Sequence, residues 1–216
     1  MMLKPCRVLL LTHDAELLRA VSDAGLEAWT LRRTGADGPS RQHGPVPPER
    51  TLTTEDPART LRDLASGVRA HHGIDFVIGG DDAHPAVLDV LRTLVPGGRT
   101  GVRPPDRAEL RRLLDEGPAP CPAPADDGAA LLCHVDTVTV GGMHLLLDIS
   151  WPNSPTGFGE SERAGVREAV RRVLDLIGHE SGGMRTCVAL TTTGPRPVDL
   201  SGTPFLVASL APGTTR

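Results

Sequence analysis

The chain has 216 residues, a formal net charge of -4 and a pI near 6.0, enough for one large domain or two small ones. That charge gives neither nucleic acid nor an anionic membrane an electrostatic footing. With 2% aromatics and no Tyr, the chain also lacks stacking platforms for single-stranded nucleic acid.

No apolar run has the length of a membrane span. The opening Met1-Met2-Leu3-Lys4-Pro5-Cys6 carries no signal-peptide cleavage pattern, so a cytoplasmic location is expected. Cys6, Cys121, Cys133 and Cys187 are scattered and form no C-x-x-C pair, which predicts reduced thiols rather than a disulfide framework or a zinc site. Lys4 is the sole lysine, so no mechanism can place a lysine in the body of the protein.

Residues 7–11 form a short apolar run, read as a buried strand. Asp14 caps a helix with Leu17, Leu18, Val21 and Ala24 at helical period, stopped by Gly25. Residues 27–31 read as a second strand, and 34–54, rich in Gly, Pro and polar residues, as a loop. Asp56-Pro57 opens a helix expected to run to Gly73, with Leu61, Leu64, Ala65 and Val68 inward. Residues 75–78 are a third strand. A helix with Val87, Leu88, Leu91 and Leu94 follows, and Asp106 caps another with Leu110, Leu113 and Leu114 inward. Strands alternating with helices predict a parallel sheet covered on both faces.

The segment 117–128, with its four prolines, fits neither a helix nor a central strand and marks the domain boundary. Beyond it the pattern changes. Residues 131–140 and 143–149 are two strands joined by the hairpin signal Gly141-Gly142. A helix follows at about 160–177, then strands at 184–192 and 196–200 and a last apolar run at 205–210. The predicted fold class is α/β: a small N-terminal parallel α/β domain (1–116), a Pro-rich linker (117–128) and a C-terminal antiparallel α+β unit (129–216).

Several side chains stand where chemistry could occur. Asp81, Asp82 and His84 follow the third strand, and an open parallel sheet binds ligands beyond its carboxyl strand ends. Asp82 either joins such a site or caps the next helix. His13 and Asp14 end the first strand and face the same choice. His134 and Asp136 share one face of their strand and Cys133 the other, so they are not a three-ligand metal set. Trp151 precedes a helix and either packs on the core or lines a pocket. Motifs of dinucleotide binding, phosphate loops, H-E-x-x-H and G-x-S-x-G are absent.

The order of these pieces resembles the ATP-grasp superfamily, in particular its carboxylate–amine ligases. The hairpin around His134-Val135-Asp136-Thr137-Val138-Thr139-Val140-Gly141-Gly142 is similar to the strand pair opening that family's second ATP-binding subdomain, and the helix at 160–177 to the one after it. Residues 184–190 and 194–202 resemble its last two metal-bearing strands. The departures matter as much. Cys187 stands where the resemblance implies glutamate. Asp199, Leu200, Ser201 and Thr203 stand where it implies acid, apolar, Asn and Arg. Thiol and hydroxyl are poor seats for magnesium, and Thr cannot clamp a phosphate as Arg does. The first ATP-binding subdomain, with its phosphate-holding lysines, should lie near 115–130, where only the Pro-rich segment stands.

The resemblance with its departures implies a scaffold repurposed to act without ATP on a small polar or amino-acid-like metabolite, in specialised natural-product biosynthesis. The expected acid–base groups are Asp199, Asp82 and His134. The expected substrate contacts are Asp81, His84, Asp136, Trp151 and Ser201. No metal and no cofactor are expected. A second reading is a non-catalytic subunit whose partner, or second copy, covers apolar surface exposed around the second sheet. An intact ATP-dependent ligase is third.

Overall fold

The computed structural model describes residues 5–11, 15–34, 46–67, 73–80, 83–95, 103–116, 131–151 and 159–210. It divides into two compact units. Unit 1 comprises Met1–Thr100 with Pro204–Arg216, and unit 2 comprises Gly101–Thr203.

Unit 1 is a five-stranded sheet in the order β3-β2-β1-β4-β9. Its strands are β1 (Arg7–Leu10), β2 (Glu27–Arg33), β3 (Thr51–Thr54), β4 (Phe76–Gly79) and β9 (Leu206–Ser209). β1, β2, β3 and β4 run parallel, and β9 pairs antiparallel with β4. The apolar runs of β1 and β4 are buried on both faces, as a helix-covered sheet requires. Its helices are α1 (Ala15–Asp23), α2 (Pro57–Ala65) and α3 (Pro85–Leu94). Leu61 and Leu64 of α2 and Val87, Leu88 and Leu91 of α3 bury against Leu9, Trp29 and Val77 on one face. α3 comes so close that a Cβ on Gly79 would lie 2.8 Å from Leu91 Cδ2, which explains the residue closing β4.

Unit 2 is a four-stranded antiparallel sheet in the order β6-β5-β7-β8. Its strands are β5 (Leu131–Val140), β6 (Met143–Ser150), β7 (Ser181–Thr191) and β8 (Gly194–Gly202). Gly141 and Gly142 both take positive φ (57° and 79°), the geometry of a two-residue hairpin turn, as their sequence signals. α5 (Glu160–Leu176) lays Val166, Val170, Val173 and Leu174 on one sheet face over Cys133, Val135, Met184, Val188 and Leu200. α4 (Arg107–Glu116) adds Leu110 and Leu114 to that core. Asp106 caps α4 by accepting the Glu109 N–H at 2.8 Å. Asp106→Ala is expected to cost about 1 kcal/mol in a urea melt of unit 2, the usual cost of losing such a cap.

The mixed α/β class, with a mainly parallel sheet and a separate antiparallel one, is as predicted. The course of the chain differs in four places. β3 lies inside the segment read as loop. α2 ends at Ala65 instead of continuing to Gly73. α4, assigned by sequence to the first domain, packs on β8 because its two inward leucines complete the second core. The last apolar run returns to unit 1, where β9 satisfies the open edge of β4. The Pro-rich segment 117–128 lies outside the described residues.

Candidate functional site

The four strands of unit 2 hold two rows of polar side chains on one face. Cross-strand register sets Ser150, His134, Cys187 and Asp199 side by side from β6 to β8. The neighbouring row is Asp148, Asp136, Arg185 and Ser201. Alternation sends the apolar residues of the same strands to the opposite face, under α5. Four sequence-predicted residues, His134, Asp136, Asp199 and Ser201, therefore share one surface.

Both predicted carboxylates are already engaged. Asp136 accepts two parallel hydrogen bonds from Arg185, from Nε at 2.7 Å and Nη2 at 2.7 Å. This is the bidentate geometry that a guanidinium and a carboxylate favour. Directly opposed Asp136 and Asp148 would repel, and Arg185 offsets that charge. Asp199 accepts from Arg107 Nη2 at 2.9 Å. Arg107 holds the Asp199 carboxyl below the usual carboxylate range, against a smaller opposing effect of burial. The Cys187 thiol, flanked by His134 and Asp199, is pushed up by burial and then by the Asp199 charge, with Arg107 pulling the other way. It therefore stays protonated at neutral pH and is not an activated nucleophile. On the opposite face, burial drives the Cys133 thiol up to about 12.

Unit 1 carries a cleft of about 450 Å³ at the carboxyl ends of its parallel strands. The sheet order reverses direction at β1, so the switch point lies between β1 and β4, where open α/β sheets place ligands. Leu11 follows β1, Leu31 and Arg33 end β2, Glu55 and Asp56 follow β3, and Ala83 and His84 follow β4. All of them line the cleft. His84 caps α3, its Nδ1 accepting the Ala86 N–H at 3.3 Å, so the neutral ring carries its proton on Nε2. Asp56 caps α2 by accepting the Arg59 N–H at 3.0 Å. Two helix amino ends thus open at this cleft.

His84 is the predicted substrate contact that this cleft contains. Asp81, Asp82, His13 and Asp14 lie outside the described residues. Trp151 is half-buried and packs against the core of unit 2. Arg33, Glu55, Arg185 and Arg107 were missed from sequence. The first two flank the segment read as loop, Arg33 ending β2 before it and Glu55 following β3 after it. Arg185 was legible from alternation along β7, but only the register reveals Asp136 opposite it. Uncovered apolar surface, expected around the second sheet, is present in small measure on β5 and β6. The rows are polar, and the large hydrophobics exposed among the described residues are Leu131, Leu132 and Met143. No helix among the described residues is long and apolar enough to cross a membrane.

No protein-family model matches the chain, and no curated protein matches it by sequence. Solved structures of ATP-grasp superfamily proteins do match, at low identity. An L-amino acid ligase from Bacillus licheniformis is 14% identical, with 94% of this chain and 68% of that chain covered and a TM-score of 0.38. A chain from Archaeoglobus fulgidus described as an ATP-grasp superfamily protein is 14% identical over 92% of this chain and 81% of its own, at a TM-score of 0.37. Glycinamide-RNase-transformylase T from Mycobacterium tuberculosis is 15% identical over 92% and 71%, at 0.35.

Proposed function

We propose that the protein binds a small zwitterionic, amino-acid-like metabolite in the strand-end cleft of unit 1 and acts on it without ATP, in a step of small-molecule biosynthesis. One observation carries the reading: the cleft sets a cation, Arg33, and two anions, Glu55 and Asp56, around an apolar floor of Leu11, Leu31, Ala58 and Val87. A carboxylate suits Arg33, an ammonium suits Glu55, and a side chain of modest size suits the floor. His84, with Nε2–H as a donor, can hydrogen-bond the bound molecule.

The ATP-free half rests on the polar rows of unit 2. Magnesium wants carboxylate oxygens in a near-octahedral set. The residues at the positions implied by the resemblance do not fit it: Cys187 is a protonated thiol, Ser201 a hydroxyl, and Asp199 already holds Arg107. With Lys4 the sole lysine, nucleotide phosphates also lack an ammonium partner in either core. On this reading the rows are a degenerate version of the seat that the resemblance implies.

Calorimetry with a panel of free amino acids and with magnesium–ATP tests both halves. Saturable binding of an amino acid, weakened about tenfold or more by Arg33→Ala through loss of a charge-assisted contact, is the expected result. Magnesium–ATP is expected to give no heat of binding. Micromolar nucleotide binding would overturn the ATP-free half, and amino-acid binding indifferent to Arg33 would overturn the cleft assignment.

A further inference from the structure

The charges that line the cleft of unit 1 do not hold one another. Arg33 and Glu55 are exposed, and neither has an ion-pair partner among the described residues. The Glu55 side chain makes no hydrogen bond among those residues either. Its position therefore depends on the backbone corner that carries it, where β3 ends at Thr54 and α2 begins at Pro57.

Hydroxyl groups build that corner. Thr60, the fourth residue of α2, is 2% exposed. Its Oγ1 donates to Thr54 Oγ1 at 2.8 Å. Thr54 Oγ1 also accepts the Asp56 N–H at 3.3 Å and donates to the Asp56 carbonyl at 3.4 Å. A hydroxyl has one proton and two lone pairs, and here all three are used. Because Thr60 supplies its own proton, the Thr54 proton turns to Asp56 and closes a tight loop around Glu55. The Thr54 carbonyl accepts the Thr34 N–H at 2.7 Å, and Thr54 pairs across the sheet with Arg33. The corner is thereby tied to the strand end that carries the cation. The helix itself does not need the Thr60 hydroxyl, since the Thr60 N–H already bonds the Asp56 carbonyl at 3.0 Å.

We propose that Thr60 is a positioning residue for the ligand's ammonium group: through Thr54 it sets the Glu55 corner at the ammonium's place before the ligand arrives. Ordering a recognition group in advance removes that ordering cost from binding. The inference rests on the amino-acid reading of the cleft and adds which bonds make it selective for an ammonium.

Leucine and 4-methylpentanoate, the same skeleton without the ammonium, are the probes, in calorimetry on the full chain. Wild type is expected to bind leucine about tenfold or more tighter than 4-methylpentanoate, the size of one charge-assisted contact. Thr60→Val is expected to narrow that ratio to about threefold or less by weakening leucine alone. Thr60→Ser keeps the hydroxyl and is expected to restore the ratio. Thr54→Val, at the half-buried hub, is expected to act as Thr60→Val does and stands in for it if the buried variant folds poorly. Variants at Thr60 and Thr54 that keep the wild-type ratio, that weaken both probes equally, or that Thr60→Ser does not improve upon would overturn the inference and leave the cleft reading in place. Equal binding of the two probes by wild type would overturn the ammonium contact and the inference with it. No saturable leucine binding by wild type would overturn the cleft reading as well.

Discussion

Unit 2 is expected to lose stability as the pH falls from 7.5 to 5, and His179 is the group responsible. It follows the end of α5, is 2% exposed, and has its Nδ1 buried without a hydrogen-bond partner. Its Nε2 lies 3.3 Å from the Gly182 carbonyl and donates to it. Burial lowers the His179 pKa, the Gly182 carbonyl opposes that, and His144 lowers it further. The ring of His144 is stacked on it with centroids 6.5 Å apart. His144 in turn bonds Thr139 Oγ1 through Nδ1 and Asp175 through Nε2, and Glu180 is the next residue along.

A histidine whose folded pKa is depressed stays neutral in the native state while the unfolded chain takes up a proton below its own pKa, about 6.5. Above that value His179 contributes no pH dependence. Below it, stability falls until the folded pKa is reached, at no more than about 1.4 kcal/mol per pH unit for one proton. Urea melts of wild type and His179→Gln at pH 7.5 and 5 check this. The variant should show a shallower pH dependence than wild type, even if its stability at pH 7.5 is lower. Parallel pH profiles would assign the acid sensitivity elsewhere.

The fold was legible wherever a local signal sufficed. Asp56-Pro57 and Gly141-Gly142 each fix a boundary by backbone chemistry alone, and both stand where the sequence puts them. β3 was not legible, because Thr51–Thr54 holds one apolar residue, Leu52, and shows no period. Its clue was the high β propensity of threonine, which needs a neighbouring strand before it counts. The polar rows were half legible. Alternation puts His134 with Asp136, but the placement of Cys187 between His134 and Asp199 depends on the turn after β7 and on the bulge at Val198. Neither can be counted from one strand. The Arg107–Asp199 pair was hidden for a different reason. Its two residues were assigned to separate domains, and only the burial of Leu110 and Leu114 brings α4 to β8.

Removing residues 204–216 is expected to cost unit 1 most of its stability while sparing unit 2. Among the described residues, β9 is the one strand of unit 1 drawn from beyond unit 2, and it buries Leu206, Val207 and Ala208. Two large apolar side chains at about 1.5–3 kcal/mol each, with a smaller amount for alanine, amount to several kcal/mol. That is a large share of the roughly 5–15 kcal/mol that holds a domain together. The loss also uncovers the backbone donors and acceptors of β4, an apolar strand that would then be an edge open to aggregation. Unit 2, by contrast, is one continuous stretch, Gly101–Thr203, whose core comes from its own helices and strands. The excised 101–203 segment is expected to be soluble and to melt cooperatively, whereas 1–203 should aggregate or show one transition in place of two. Val207→Asp in the full chain provides the same test without a truncation, since a carboxylate at a 2% exposed position of β9 has to be buried or the strand released. A 1–203 chain that keeps both transitions would show that β9 only decorates the sheet, and that the edge of β4 is closed by something else.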